Sequence, residues 1–233
     1  MRAMSDSAGA RLAAFLRERY VDDPGVTDAA QRLGDGVELL WEQLTSGHDL
    51  LWLAGVVGVD PRTVARVALQ ALSEAGNALG WDQCEYETWQ VLHTGEEVLA
   101  GTGSERELRD AGWDAYDLIA YSRDDRLPLS EAGDTVMDAT VYAARAVLWA
   151  AHASDVCPEG EGCRYRDGDH QEAPMVLRRL AKLGLLHVGQ DGEEATRDVD
   201  LSSDYWGRFV RDRIDAAQVN TAMNRILDGL PKT

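Results

Sequence analysis

Apolar residues recur at helical spacing along almost the whole chain. Near the N-terminus one apolar face is formed by Leu12, Phe15, Leu16 and Tyr20, and a second by Leu33, Val37, Leu40, Trp41 and Leu44. Spacings of three and four residues place such side chains on one side of a helix. Two N-terminal helices are therefore predicted.

Three later helix starts are marked by capping residues: Ser46 followed by Asp49, Asp60 before Pro61, and Ser104 followed by Glu107. A side-chain oxygen at such a position accepts a hydrogen bond from a free backbone N–H of the first turn. Proline suits the first helical position because its missing N–H would have no partner there. The segment after Ser46, from Leu50 to Ala54, is apolar nearly all round, which predicts a central place in the core.

Helical periodicity continues over residues 84–99, 104–119, 131–153, 175–186 and 204–227. In the last of these, Trp206, Val210, Ile214 and Ala217 are predicted to face inward. Leu185–Val188 fits either a short strand or a helix end. Two segments break the pattern, a Gly- and Pro-containing acidic loop near residues 155–171 and a polar connection over 190–204. The fold class predicted is all-α, a multi-helix bundle of about nine helices in one domain over residues 1–233.

The balance of charge restricts the possible partners. The chain has 233 residues, with 41 acidic residues against 23 Lys and Arg, which gives a formal net charge of −18. Such a field repels nucleic acids and anionic membranes and favours a basic partner. The N-terminus lacks the apolar stretch of a signal peptide, and no apolar run is long enough to span a bilayer. A cytoplasmic location is expected.

Most of the negative charge is concentrated in one part of the chain. Between Asp82 and Asp138 there are 15 acidic residues and 4 arginines, an excess of 11. This concentration has two interpretations, a solvated helical face that keeps the protein soluble or a surface complementary to a basic protein. The second makes candidate partner-binding residues of Glu96, Glu97, Glu105, Asp110, Asp114, Asp117, Asp124 and Asp125.

The motifs of the common catalytic sites do not occur in the sequence. Neither a phosphate-binding glycine loop nor a G-x-S-x-G nucleophile motif is found, so no catalytic residue and no cofactor are predicted. Cys157, Cys163 and His170 form the sharpest candidate for a metal site. Their spacing is wider than the usual Cys-x₂₋₄-Cys of zinc sites, and free or mutually oxidised thiols are the simpler interpretation. No metal site is therefore predicted.

Several segments resemble a known protein family. The resemblance rests on residues 46–54 (SGHDLLWLA), residues 59–64 (VDPRTV) with the alanine-rich helix that follows, residues 89–99 (WQVLHTGEEVL), the start GTGSERELR at Gly101, and VYAARA at Val141. With these segments the chain resembles the all-helical Imm5-like immunity proteins of bacterial polymorphic toxin systems. The resemblance covers residues 46–153, and it leaves residues 172–233 as a C-terminal helical extension.

The resemblance implies an antidote that binds a cognate toxin and blocks its active site, and it brings no catalytic residues. We therefore expect a binding protein, a monomer or a homodimer, that occludes a basic surface of a toxin. Two alternatives stay open. One is a helical scaffold or regulatory adaptor without a toxin, and the other is a metal-dependent enzyme that uses the loop with Cys157, Cys163 and His170.

Overall fold

The computed structural model describes residues 11, 14, 41, 42, 44–79, 85–123, 130–152, 171–184 and 201–229. Within these residues the protein is all-helical, without strands. The eight helices are α1 (Gly47–Val56), α2 (Pro61–Leu79), α3 (Glu85–Ala100), α4 (Glu105–Arg123), α5 (Glu131–His152), α6 (Glu172–Leu183), α7 (Ser203–Arg211) and α8 (Ala216–Gly229). The predicted all-α class is confirmed for the described residues. The number of helices differs slightly from the nine predicted, and Arg11, Ala14, Trp41 and Glu42 are helical residues outside these eight.

The capping residues begin their helices as predicted. Ser46 Oγ accepts a hydrogen bond from the Asp49 amide at 3.5 Å. The Asp60 carboxylate accepts from the amide of Thr63 at 3.2 Å, and Pro61 is the first residue of α2. Ser104 Oγ accepts from the Glu107 amide at 3.3 Å. Each bond satisfies an N–H that has no partner within its own helix.

Helix α5 is the hub of the bundle. It packs on α2, α3, α4 and α6, and α6 also packs on α1 and α2. Its buried face is rich in alanine, and small side chains let neighbouring helices approach closely. Helix α1 is buried over most of its length, as its continuous apolar sequence predicts.

Two glycines allow α7 to cross the start of α1 at very short range. A Cβ at Gly207 would overlap the carbonyl oxygen of Thr45, and a Cβ at Gly47 would lie 2.6 Å from the Trp206 Cβ. Both contacts are closer than non-bonded atoms tolerate, the first between a carbon and an oxygen and the second between two carbons. Only glycine therefore fits at either position. The contact places Trp206 in the core with no exposed surface.

The prediction of one continuous helix over residues 204–227 is wrong. The structure has α7 and α8 instead, separated at Asp212–Asp215. The break is stabilised by a reciprocal cap, in which the Gln218 amide donates to Asp215 Oδ1 at 2.7 Å and the Asp215 amide to Gln218 Oε1 at 2.9 Å. Trp206, Val210 and Ile214 are buried as predicted, whereas Ala217 lies beyond the break and is exposed.

Arg211, the last residue of α7, connects this region to the chain before α1. Its Nη2 donates to the carbonyl oxygens of Trp41 at 3.1 Å and Glu42 at 3.1 Å, and also to that of Leu44. A guanidinium satisfies several backbone acceptors near the end of a helical segment and matches the negative end of its dipole. These hydrogen bonds therefore hold the backbone that precedes Ser46 against the end of α7.

Other predicted boundaries shift by a few residues or cannot be compared. Helix α4 continues through Arg123, where a connection from Ser122 was predicted, and α6 begins at Glu172 rather than at Met175. The two N-terminal helices lie outside the described residues except at positions 11, 14, 41, 42 and 44. The same holds for the 155–171 loop except Gln171, for Leu185–Val188 and for most of 190–204. Of the helices described, none combines the length and the apolar character needed to cross a bilayer.

Candidate functional site

Helices α3 and α4 form an antiparallel hairpin. The Gly101–Ser104 turn closes it, and Gly101 has a φ of +78°, which glycine adopts without steric cost. The amides of Thr102 and Gly103 both donate to the Glu97 carbonyl, at 2.9 and 3.0 Å. Because the connection is so short, α4 must run back alongside α3, and the two helices pack on one another and on α5.

The inner face of α4 is a narrow stripe. Its buried residues are Leu108, Ala111, Ala115 and Ile119, whereas Leu118, which helical spacing predicts on the same side, is half-buried against the core. Gly112 lies beside the stripe, where a Cβ would be 3.0 Å from the Cβ of Ala144 in α5. Since α4 packs mainly on α3 and α5, most of its circumference faces solvent.

A buried hydrogen bond fixes α3 against α5. The hydroxyls of Thr88 and Thr140 are 3.0 Å apart, and both side chains are fully buried. Thr140 Oγ1 also donates to the Val136 carbonyl at 2.8 Å, which uses its single proton. Thr88 is therefore the donor and Thr140 the acceptor.

This polarity predicts unequal effects of the two isosteric substitutions. Thr140→Val leaves the Thr88 proton without its acceptor and is expected to cost about 1–2 kcal/mol of unfolding free energy. Thr88→Val leaves Thr140 bonded to Val136 and should cost less, below about 1 kcal/mol. Urea unfolding of both single variants and of the double variant measures the difference. Equal costs for the two single variants would contradict the assigned donor.

The outer faces of the hairpin carry exposed aromatic side chains. All the large hydrophobic residues that are exposed in the described part of the chain lie on α3 and α4: Tyr86 (64%), Trp89 (55%), Trp113 (57%), Tyr116 (46%) and Tyr121 (45%). Exposed apolar surface gathered in one place is typical of interaction sites, and Trp and Tyr are enriched at the energetic centres of protein interfaces.

These rings gather toward the open end of the hairpin, away from the turn. Trp89 in α3 and Tyr116 in α4 are equally far from the turn, about 16 Å at a helical rise of about 1.5 Å per residue. Trp113 meets Tyr116 edge to face, with ring centroids 5.6 Å apart. Trp89 stacks on His93 at 5.1 Å. We call the outer faces of α3 and α4, with their five exposed rings and their carboxylates, the hairpin surface.

The described candidate acidic residues all lie on these same two helices. Glu96 and Glu97 lie near the end of α3, Glu105 begins α4, and the others follow along α4 at Asp110, Asp114 and Asp117. Together α3 and α4 contain nine acidic residues and three arginines, an excess of six negative charges. The hairpin thus holds six of the eleven excess negative charges counted over residues 82–138, and Glu131, Asp134 and Asp138 place three more on α5. Asp124 and Asp125 lie outside the described residues.

Some of these carboxylates are engaged within the protein. Glu105 Oε2 is 2.6 Å from His152 Nε2, which links α4 to the end of α5. Glu96 pairs with Arg66 of α2 at 3.5 Å.

Two further pairs lie within a single helix. Glu97 pairs with His93 at 3.6 Å, and Asp110 with Arg106 at 3.8 Å. Asp114 and Asp117 are exposed and have no cationic partner among the described residues, so they are the carboxylates best placed to meet a ligand.

The aromatic part of the hairpin surface was not among the predicted binding residues. Its signal was present in the sequence, because Trp113 lies about 140° around α4 from Leu108 at about 100° per residue. A large ring opposite the apolar stripe has to be exposed when only one side of the helix is covered.

The candidate metal site cannot be compared with the structure, since Cys157, Cys163 and His170 lie outside the described residues. Within the residues that are described, no three or more His, Cys, Asp or Glu side chains come close enough together to hold a metal ion.

Comparison with known proteins finds no matching family model, no matching curated protein and no matching solved structure. The resemblance to Imm5-like immunity proteins therefore stays a prediction from the sequence.

Proposed function

We propose that this protein is a cytoplasmic immunity protein that neutralises a cognate toxin by covering a basic surface with its hairpin surface. The observation that carries the proposal is the coincidence of two features on α3 and α4. They hold every exposed large aromatic residue of the described chain, and they carry an excess of six negative charges. Negative charge alone would be explained by solubility, and exposed rings alone do not indicate a basic partner.

The two features would make different contributions to binding. Aromatic rings supply apolar area at little cost in side-chain entropy, and they dominate affinity once water is excluded from around them. Carboxylates at the rim attract a basic partner over long distances and accelerate association, with a strong dependence on ionic strength. Rapid, tight capture of a basic enzyme is what an antidote has to achieve.

Coexpression tests the proposal. The candidate toxin is the protein encoded by the gene next to this one. A bacterium that produces this toxin is expected to die when it lacks the parent chain and to survive when the parent chain is coexpressed. The double variant Asp114→Lys/Asp117→Lys should lose protection, because the reversed charges repel a basic partner and lower the affinity by at least about tenfold. The matched control Asp212→Lys/Asp228→Lys makes the same change of charge outside the hairpin and should still protect.

Two results would count against this function. A neighbouring protein that stays lethal beside the parent chain would remove the antidote role. If both charge-reversed variants protect equally well, the protein is still an antidote, but it does not bind the toxin through the hairpin surface. Circular dichroism spectra of both variants verify that each is folded.

A scaffold or adaptor role is the second candidate, and the exposed rings favour it as well, because a homodimer could bury them. Its distinguishing result is a stable dimer in sedimentation or light scattering that dissociates on Trp113→Ala. The like charge of the two hairpins opposes this pairing, and we therefore place it second.

A further inference from the structure

An arginine of α6 is already held, half-buried, by an aspartate and a tyrosine of α5 spaced four residues apart. Asp138 and Tyr142 are neighbours on one face of α5, and Arg179 reaches both from α6. Its Nε lies 2.9 Å from Asp138 Oδ2, and its guanidinium carbon lies 5.6 Å from the centre of the Tyr142 ring. The carboxylate and the ring thus contact the same guanidinium, one as an ion pair in which Nε makes no hydrogen bond and the other through its π face.

The same arrangement recurs on the hairpin surface, but without an arginine among the described residues. Asp117 and Tyr121 of α4 have the spacing and order of Asp138 and Tyr142, and both are exposed. Trp113 lies four residues before Asp117, so a ring flanks the carboxylate on either side along the helix. Side chains at this spacing are about 5–6 Å apart at their Cβ atoms, a separation that one guanidinium can bridge.

We propose that Trp113, Asp117 and Tyr121 form a docking site for an arginine side chain presented by the partner protein. The inference deepens the proposed function and rests on it for the partner being a basic protein. It adds the chemistry of recognition, in which one arginine contacts a carboxylate and the flanking rings, as Arg179 contacts Asp138 and the single ring of Tyr142.

Arginine fits this site better than lysine does. Its guanidinium is planar, so it can stack on a ring while its N–H groups point in the plane toward a carboxylate. The molecule uses this stacking elsewhere, since the Arg213 guanidinium lies 3.4 Å from the Phe209 ring centre while its Nε donates to Gln70 at 2.9 Å. A lysine ammonium is a compact, strongly hydrated charge that gains less from the ring.

The charge of the surface identifies the occupant as a different protein rather than a second copy of this chain. Two hairpins facing each other would bring together two excesses of six negative charges. Nucleic acids and anionic membranes meet the same repulsion. A basic protein gains from the same field at long range and from the rings at contact.

Calorimetric titration of the full chain tests the inference. The probes are two alanine-based helical peptides that differ only in carrying arginines or lysines along one face. The parent chain is expected to bind the arginine peptide about tenfold more tightly than the lysine peptide. The double variant Trp113→Leu/Tyr121→Leu, which removes both rings of the site, should make the two affinities nearly equal, and Asp117→Asn should weaken both. Asp228→Asn on α8 removes the same charge elsewhere and should leave the preference intact.

Equal affinity of the parent chain for the two peptides would overturn the inference, because net charge alone would then explain the binding. A preference that persists in Trp113→Leu/Tyr121→Leu would overturn it as well, as would a parent dimer that dissociates in that variant. The coexpression assay is separate. If the chain protects the cell but binds both peptides equally, only the arginine site is contradicted. If it prefers the arginine peptide but does not protect the cell, only the antidote role is contradicted.

Discussion

Gly207→Ala is expected to lower the free energy of unfolding by at least about 3 kcal/mol, because the added methyl group overlaps a backbone atom. The Thr45 carbonyl oxygen occupies the place of the new Cβ, and the Thr45 carbonyl carbon lies 2.8 Å from it. Backbone cannot rotate away as a side chain can. Relief therefore requires α7 to move off the start of α1, which would also disturb the packing of Trp206.

Urea unfolding followed by circular dichroism measures this effect. Gly229→Ala in α8 is the matched control, since nothing lies within 4 Å of a Cβ at Gly229. That variant should be neutral or slightly stabilised, because alanine restricts the unfolded chain more than glycine does. A Gly207→Ala variant as stable as the control would show that the two helices are farther apart than the structure places them.

Trp206→Ala is expected to cost about 4 kcal/mol of unfolding free energy, within the usual range for a fully buried tryptophan. The side chain has no exposed surface and packs against the rings of Tyr205 and Phe209, with centroids 4.9 and 5.3 Å away. Its removal leaves a cavity between α7 and α1 that the backbone contact at Gly207 prevents from closing.

Trp113→Ala makes the same chemical change at an exposed site and is expected to alter stability by no more than about 0.5 kcal/mol. Thermal or urea unfolding of the two variants gives the comparison. A similar cost at both positions would mean that Trp113 is buried in solution, for instance in a dimer. The contrast also matters for function, because a hairpin variant that keeps its stability but loses binding has lost a contact and not its fold.

Much of the fold could be predicted because the helical spacing of apolar residues and a few capping residues locate most of the helices. Leu108, Ala111, Ala115 and Ile119 fall on one side of α4 at helical spacing, and Ser104 gives its first turn a hydrogen-bond acceptor. The break after α7 could not be predicted from periodicity, since Ile214 continues the apolar pattern of Trp206 and Val210. It depends on the reciprocal bonds of Asp215 and Gln218, which compete with a continuous helix only locally.

The negative charge of the hairpin surface could be predicted from the sequence, but which of its side chains are exposed and unpaired could not. Counting acids identified residues 82–138, whereas nothing in the count separates Glu105, which is paired with His152, from Asp117, which has no cationic partner among the described residues. That distinction depends on which helices meet, a long-range property. The exposure of Trp89 depends likewise on which part of α3 is left uncovered by α2, α4 and α5, and the sequence of a single helix cannot reveal how many neighbours it has.

The narrow inner stripe of α4 has a consequence for how the hairpin surface behaves in time. A helix held mainly by two neighbours through Leu108, Ile119 and a few alanines can open locally at a lower free energy than α5, which is enclosed on several sides. Amide hydrogens of α4 will therefore exchange with solvent earlier than those of α5. A partner seated on the outer face would supply the missing third neighbour and slow that exchange, so binding would complete a packing arrangement that the isolated chain leaves open.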